Sequence, residues 1–224
     1  MQNKSLKFKI LFIFIIPIVA LLYFSIISVL NEYKKLEEST IAKDSAHVTK
    51  ALSNLIYNIQ IERGLGSGYI VATDKSKYKE QLINQYKKSD DSYKNLINEL
   101  KEHTNKKIRH NSHSVIQDIM NELDKVNNIR EAVKNSNINF NDLVKYYTNI
   151  NSKLILAIKL FNSIHNQSNI DTFAIIKLEI LKEYTGLERA YIYNQLVGDI
   201  KPEFAYSMEQ LQTNQQNTIY EFLK

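Results

Sequence analysis

The sequence predicts an all-α protein: one N-terminal transmembrane helix followed by long antiparallel helices in one or two stacked helical bundles. Three observations predict it. The chain of 224 residues has two prolines and five glycines, too little turn chemistry for a many-stranded sheet. Residues Ile10 to Leu30 carry no charge, a run long enough to cross the ~30 Å apolar core of a bilayer. Beyond it, apolar residues return at steps of three and four, the period of one helix face. No segment alternates with the period of two that marks a strand. Antiparallel bundles bury such stripes most simply.

The elements follow in order. Lys4, Lys7 and Lys9 precede the apolar run with no acidic residue among them. The positive-inside rule therefore puts the N-terminus in the cytoplasm and residues 31–224 outside the cytoplasmic membrane. The run is longer than a signal-peptide core and no small-x-small cleavage site follows, so an uncleaved anchor is expected. Pro17 is tolerable inside such a span. Residues 1–30 form the cytoplasmic tip and span, and 31–224 the extracytoplasmic domain. With no break after Leu30, the first helix is expected to run on to Thr73-Asp74. A second helix is expected over about Ser76–Thr104, with Tyr78, Leu82, Tyr86, Tyr93, Leu96 and Leu100 on its apolar side. Asn105–Ser114 is polar and is expected to be a connection. The third helix spans about Val115–Asn135. Asn141-Asp142 offer caps for a fourth, to about Ile164. After the polar His165–Ile170, Asp171 can cap a fifth helix that ends near Gly198. Pro202 suits the first turn of a sixth.

Composition narrows the function. The chain has no cysteine, which removes disulfides, thiolate metal sites and a Cys nucleophile. A net charge of +5 is dispersed, without a basic stripe and interleaved aromatics, so no nucleic-acid partner is expected. No Ser/His/Asp order or carboxylate pair shares an apolar face, and no enzyme or cofactor is expected in this segment. His110 and His113 could touch one metal ion, but no third ligand stands at helical spacing, so a solvated pair is the expectation.

Arginine carries the sharper signal. Of 29 basic residues, only Arg63, Arg109, Arg130 and Arg189 are arginine. Three fall on apolar stripes: Leu52, Ile56, Ile59, Arg63, Ile70; Ile116, Ile119, Leu123, Val126, Arg130, Val133; and Leu178, Leu181, Thr185, Arg189, Ile192, Leu196. An unpaired charge on a buried face costs several kcal/mol, so each such Arg must snorkel, pair with a carboxylate or meet an anion. Three on separate helices suggest one anion-binding core. Gly64, Gly66 and Gly68 follow Arg63, and Gly186 precedes Arg189, as close packing or a small ligand would require. No strand precedes the glycines and no Lys-Ser/Thr pair follows them, which excludes a phosphate loop. Glu62 and Glu188 each precede an Arg and either offset surplus charge, orient the guanidinium or face solvent. Tyr69, Tyr184 and Tyr191 are near by sequence.

Three segments, in this order, resemble the nitrate- and nitrite-sensing (NIT) domain. Gln60-Ile61-Glu62-Arg63-Gly64-Leu65-Gly66-Ser67-Gly68-Tyr69-Ile70 looks like its opening signature. Asn128-Ile129-Arg130-Glu131-Ala132-Val133, followed by Val144-Lys145-Tyr146-Tyr147-Thr148-Asn149-Ile150, is similar to its middle. Lys182-Glu183-Tyr184-Thr185-Gly186-Leu187-Glu188-Arg189-Ala190 looks like its late motif. The resemblance covers about residues 50–224 and differs at Gly66, where the family often has Ser. It implies two stacked helical bundles sharing long helices. It also implies oxyanion binding by Arg63, Arg130 and Arg189, supported by Glu62, Gly64, Gly66, Gly186 and Glu188. The guanidinium fork matches planar nitrate or bent nitrite.

The resulting expectation is the sensor region of a bacterial transmembrane signalling protein, with a chemoreceptor favoured over a histidine kinase or a cyclic-dinucleotide enzyme. The chain is expected to stop short of a second span and an output domain. Its expected partners are nitrate or nitrite, the membrane and a second copy in a homodimer. Two alternatives stay open: a membrane-tethered scaffold whose arginines are internal salt-bridge partners, and a sensor of another small anion.

Overall fold

The computed structural model describes residues 2–103, 106–163, 169–197 and 203–223; within them, the side chains of 2–7, 9, 106–113, 169–172, 197 and 203–205 are not described. All the elements are helices: α1 Gln2–Val71, α2 Ser76–Glu102, α3 Lys106–Leu123, α4 Val126–Lys134, α5 Phe140–Ser163, α6 Asn169–Val197 and α7 Glu203–Leu223. No strand occurs among the described residues. The chain divides into two compact units, Met1–Lys43 and Asp44–Lys224.

The first unit is the early part of α1, with Pro17 inside the helix. It is the one helix among the described residues long and apolar enough to cross a membrane. From Ile10 to Leu30 every residue except half-buried Ile27 is exposed. Such an apolar surface has no partner within this unit and suits a lipid environment.

The second unit is a helical bundle, and its side-chain pairs give the directions. Asn58 bonds Gln85 while Ser92 bonds Asn54 and Asn58, so α2 runs antiparallel to α1. Ser45 reaches the carbonyl of Phe161, and Arg63 reaches Thr148, so α5 is also antiparallel to α1. Ser53 meets Glu179 and Gln60 meets Glu183, so α6 runs parallel to α1. Lys177 pairs with Glu221 and Glu188 with Gln215, which makes α6 and α7 antiparallel. The core is built from stripes at helical spacing: Val48, Leu52, Leu55, Ile56 and Ile59 of α1 against Leu143, Tyr147, Ile150, Leu154, Ile158 and Phe161 of α5, all 2 % exposed or less. Each such Leu or Ile contributes about 1.5–3 kcal/mol by leaving water. A smaller cluster of Val144, Leu187 and Leu211, flanked by Phe140 and Met208, joins α5, α6 and α7.

The described helices depart from the expected ones at three places. The polar stretch 106–114 is helical, because Lys and Arg are good helix formers and polarity alone does not make a loop. The expected third helix is two, parted at Asp124-Lys125. There the bonding tightens to i→i+3, from Lys125 N–H to Glu122 O (3.1 Å) and from Asn128 N–H to Lys125 O (3.0 Å). Asp124, Asn127 and Asn128 are weak helix formers. Finally, Asn139 rather than Asn141-Asp142 caps α5, accepting from the Asp142 N–H at 2.8 Å. The Asp171 side chain, Gly198 and Pro202 lie outside the described residues, as do the side chains of Arg109, His110 and His113.

α4 ends in a Schellman turn. The Asn137 N–H reaches the Ala132 carbonyl at 2.8 Å and the Ser136 N–H reaches that of Val133 at 3.0 Å. Ser136 sits at φ 56°, where Gly is the usual residue.

Candidate anion-binding site

Two of the three arginines are in the interior. Arg63 is 0 % exposed and Arg130 7 %. Each has met a carboxylate. Glu62, also 0 % exposed, receives a two-pronged bond from Arg130, Nε to Oε1 and Nη2 to Oε2, both at 2.9 Å. Arg130 Nη1 donates to Asp90 at 2.7 Å, and its guanidinium lies 4.6 Å from the Tyr86 ring centre. Tyr147 completes the cluster, its hydroxyl donating to Glu62 at 2.7 Å. Desolvation opposes the Arg130 charge, but Glu62 and then Asp90 outweigh it and hold its pKa above the ordinary arginine value. Burial, reinforced by the Glu62 charge, pushes the Tyr147 phenol well above its ordinary value.

Arg63 faces α6. Its Nη1 donates to Glu183 Oε1 and, at 2.9 Å, to Thr148 Oγ1; Nη2 lies 3.4 Å from Glu183 Oε2. Glu183 also receives Gln60 Nε2 at 2.9 Å and Asn151 Nδ2 at 2.8 Å. Among the buried atoms without a hydrogen-bond partner are Arg63 Nε, Ser67 Oγ one turn along α1, and Asn151 Oδ1. Arg63, Ser67 and Asn151 are each 0 % exposed. A buried donor without an acceptor costs about 1–3 kcal/mol, so the Arg63 Nε–H carries an uncompensated desolvation cost. Gly186 makes the contact possible: a Cβ there would lie 3.0 Å from Arg63 Nη2. Gly66 faces Leu143, whereas Gly64 faces open space among the described residues.

Arg189 is elsewhere. It is exposed and makes no ion pair among the described residues. Glu183 and Arg189 are six positions apart, about 120° around a helix of 3.6 residues per turn. The stripe Leu178, Leu181, Thr185, Arg189, Ile192, Leu196 is therefore the outer side of α6, with Leu178, Ile192 and Leu196 exposed. The buried side carries Glu179, Glu183, Gly186, Leu187 and Ala190. Apolar residues surround much of α6, and the two acids are drawn inward because α1 presents Ser53, Gln60 and Arg63 to them. The three arginines thus do not converge in this structure, and the two inner ones are paired rather than bare. Glu188 bonds Gln215 of α7 at 3.0 Å instead of an arginine.

Glu183, Thr148, Asn151 and Tyr147 were not singled out by the sequence. Glu183 had a usable signal, since a buried Arg that neither snorkels nor meets an anion needs a carboxylate, here from another helix. No hydrogen bond joins Tyr69, Tyr184 or Tyr191 to Arg63 or Arg130 among the described residues; Tyr191 packs edge-on against Phe140 at 5.2 Å. A groove of about 1480 Å³ runs between α5, α6 and α7, lined by Thr148, Tyr146, Tyr191 and Asn214 among others. None of the three arginines lines it, but Thr148 joins its wall to Arg63.

A family model described as nitrate and nitrite sensing matches residues 54–224. No curated protein matches the chain in sequence. Among solved structures, the NasR transcription antiterminator is similar, with a TM-score of 0.72 at 15 % identity over 89 % of this chain. The chain spans 55 % of that protein's length, and at this identity the likeness is one of fold.

Proposed function

The chain belongs to the nitrate and nitrite sensing family, and we propose that it is the sensor region of a transmembrane signalling protein that takes nitrate or nitrite at Arg63. The observation that carries this reading is the Arg63 Nε–H, fully buried and without an acceptor among the described residues. A planar oxyanion supplies that acceptor, and its shape suits the guanidinium fork.

Glu183 already lies in that fork. A carboxylate and nitrite share one bent O–X–O geometry, so Glu183 acts as a built-in stand-in for the ligand. Arg63 and Arg130 are balanced by Glu62 and Glu183, which leaves no surplus positive charge for an added anion. Binding then means exchange: nitrate takes the Arg63 fork and Glu183 withdraws, moving α6 relative to α1. The ligand shifts this equilibrium only by its differential affinity for the two arrangements. Arg130 shapes the site from behind through Glu62, next to Arg63 in the chain. Arg189 reaches the same ligand only if α6 also turns.

In this reading the N-terminal helix spans the cytoplasmic membrane with the N-terminus inside and residues 31–224 outside, and the signal leaves through the long helices. The partner is a second copy, whose natural contact is the exposed apolar side of α6. A chemoreceptor is the favoured output. A second reading has its own support: each buried arginine faces a carboxylate, as in a scaffold that binds nothing. Calorimetric titration of the full chain in detergent with nitrate, nitrite, chloride and acetate separates them. Saturable heat with nitrate or nitrite supports the sensor, saturation with acetate alone reassigns its ligand, and no heat with any anion leaves the scaffold.

A further inference from the structure

A second cluster, away from the arginines, lies where α1 and α2 pair near the first residues of the second unit. His47 Nδ1 is 3.5 Å from Glu99 Oε2, and His103 Nε2 is 3.3 Å from the same oxygen. These three donor atoms all lie within 4.8 Å of one another. Tetrahedral bonds of about 2.0–2.1 Å to Zn²⁺ put neighbouring donors about 3.3 Å apart. Two of the three edges already have that length without any movement of the helices.

The fourth residue fits a supporting role. Asp44 Oδ1 is 3.1 Å from His103 Nδ1, the ring nitrogen that does not face Glu99. A carboxylate behind the far nitrogen of a ligating imidazole fixes its tautomer and raises its basicity. Asp44 and His47 are three apart on α1 and share one face, and His103, the C-cap of α2, lies one turn beyond Glu99, its N–H bonding the Glu99 carbonyl. The His47 and His103 rings stack at 4.2 Å with 15° between planes, so one ring has to turn out of the stack for both nitrogens to meet one ion in their ring planes. The carboxylates of Asp44 and Glu99 put negative charge beside the two imidazoles, which favours a divalent cation. The side chains are between 21 and 43 % exposed, so an ion can enter from solvent.

We propose that His47, Glu99 and His103 form a Zn²⁺-type metal site, with Asp44 orienting His103 and a fourth position left for water. The ion clamps α1 to α2. Asp44 and His47 precede residue 54, where the family match begins, and Glu99 and His103 fall within it. The site is independent of the anion reading and survives its failure.

The test titrates Zn²⁺ alone into the metal-stripped full chain in detergent, by calorimetry and by competition with a chelating dye. Saturation at one ion per chain is expected. His47→Ala and His103→Ala should each weaken binding more than ~10-fold, and Asp44→Asn by about tenfold, the usual scale for a residue behind a ligand. A His110→Ala/His113→Ala variant should bind as the unaltered chain does. Helicity measured alongside identifies any variant that fails to fold. For that case, X-ray absorption of the unaltered Zn²⁺-loaded chain should show two imidazoles. Binding that persists in both His47→Ala and His103→Ala, a spectrum without imidazole, or the absence of saturable binding overturns the proposal.

Discussion

Glu62 and Arg63 are consecutive on α1, both fully buried, and they leave the helix toward different neighbours: Glu62 toward Arg130 of α4, Arg63 toward Glu183 of α6. One dipeptide thereby ties two other helices to α1 with charges of opposite sign.

Removing Glu62 should be severe. Glu62→Ala leaves Arg130 with Asp90 as its one carboxylate among the described residues, itself 48 % exposed, and leaves the Tyr147 hydroxyl without its acceptor. Breaking a buried pair from one side costs about 3–5 kcal/mol. The thermal midpoint should drop sharply, and adding Arg130→Met should recover part of the loss. A Glu62→Ala chain as stable as the original would show that the pair has no structural weight.

Glu183→Gln separates a sensor from a scaffold. The amide keeps the shape but gives up the charge that competes for Arg63. If nitrate exchanges with Glu183, affinity should rise about tenfold, equivalent to ~1.4 kcal/mol. Arg63→Lys should do the opposite, weakening binding roughly ten- to hundredfold through the lost forked bond. Calorimetry reads both. Unchanged affinity in both variants would remove Arg63 from the site.

The glycines give a graded series. Gly64→Ala puts its methyl into open space and should stabilise the domain by about 0.5–1 kcal/mol, the ordinary helix preference of Ala. Gly186→Ala gains the same preference but drives a methyl against Arg63 Nη2. Its thermal midpoint should therefore move little, while nitrate binding falls. Equal effects of the two substitutions on binding would contradict the close approach of α6 to Arg63.

Alkaline pH should unfold the domain. Burial first, then nearby acids, raise the phenol pKa values of Tyr147, Tyr86 and Tyr146. A raised phenol pKa means that the folded state keeps a proton that the unfolded state releases. The associated stability is complete below the ordinary pKa of about 10 and is lost as pH climbs past it. Tyrosinate absorbance followed with helicity should show these tyrosines ionising only as helix is lost. Complete tyrosine ionisation with full helicity would refute their burial.

At the end of α4, Ser136 holds a left-handed conformation that costs a non-glycine residue about 1–2 kcal/mol. Ser136→Gly removes that cost and gives up only an exposed bond from Lys75. A higher thermal midpoint is expected; a lower one would assign the Lys75 bond more weight than an exposed contact usually has.

Much of this was legible in the sequence. Helix boundaries that depend on local chemistry came through, such as the end of α1 near Thr73-Asp74 and the start of α2 at Ser76, where Asp74 accepts from the Ser76 N–H. The first two arginine stripes came through as well, since Ile56, Ile59, Ile119, Leu123, Val126 and Val133 are all buried. The third failed for a physical reason. Periodicity identifies a buried face only when the opposite face is polar, and α6 offers apolar residues on both. What decides its orientation is the demand of Arg63 for a carboxylate, a pairing across 120 positions that no local pattern contains. The same holds for Tyr147, whose phenol meets Glu62 across 85 positions.

That separation also sets an order of events in the cell. On a chain made at ~5–20 residues per second, Arg63 emerges on the order of ten seconds before Glu183. α1 and α2 can pair in that interval through the neutral seam of Asn58, Gln85 and Ser92, which requires nothing made later. Arg63 has to remain in water until α6 arrives. The nascent domain thus has a built-in checkpoint: its earliest helix cannot close over its charge until one of the last has been synthesised.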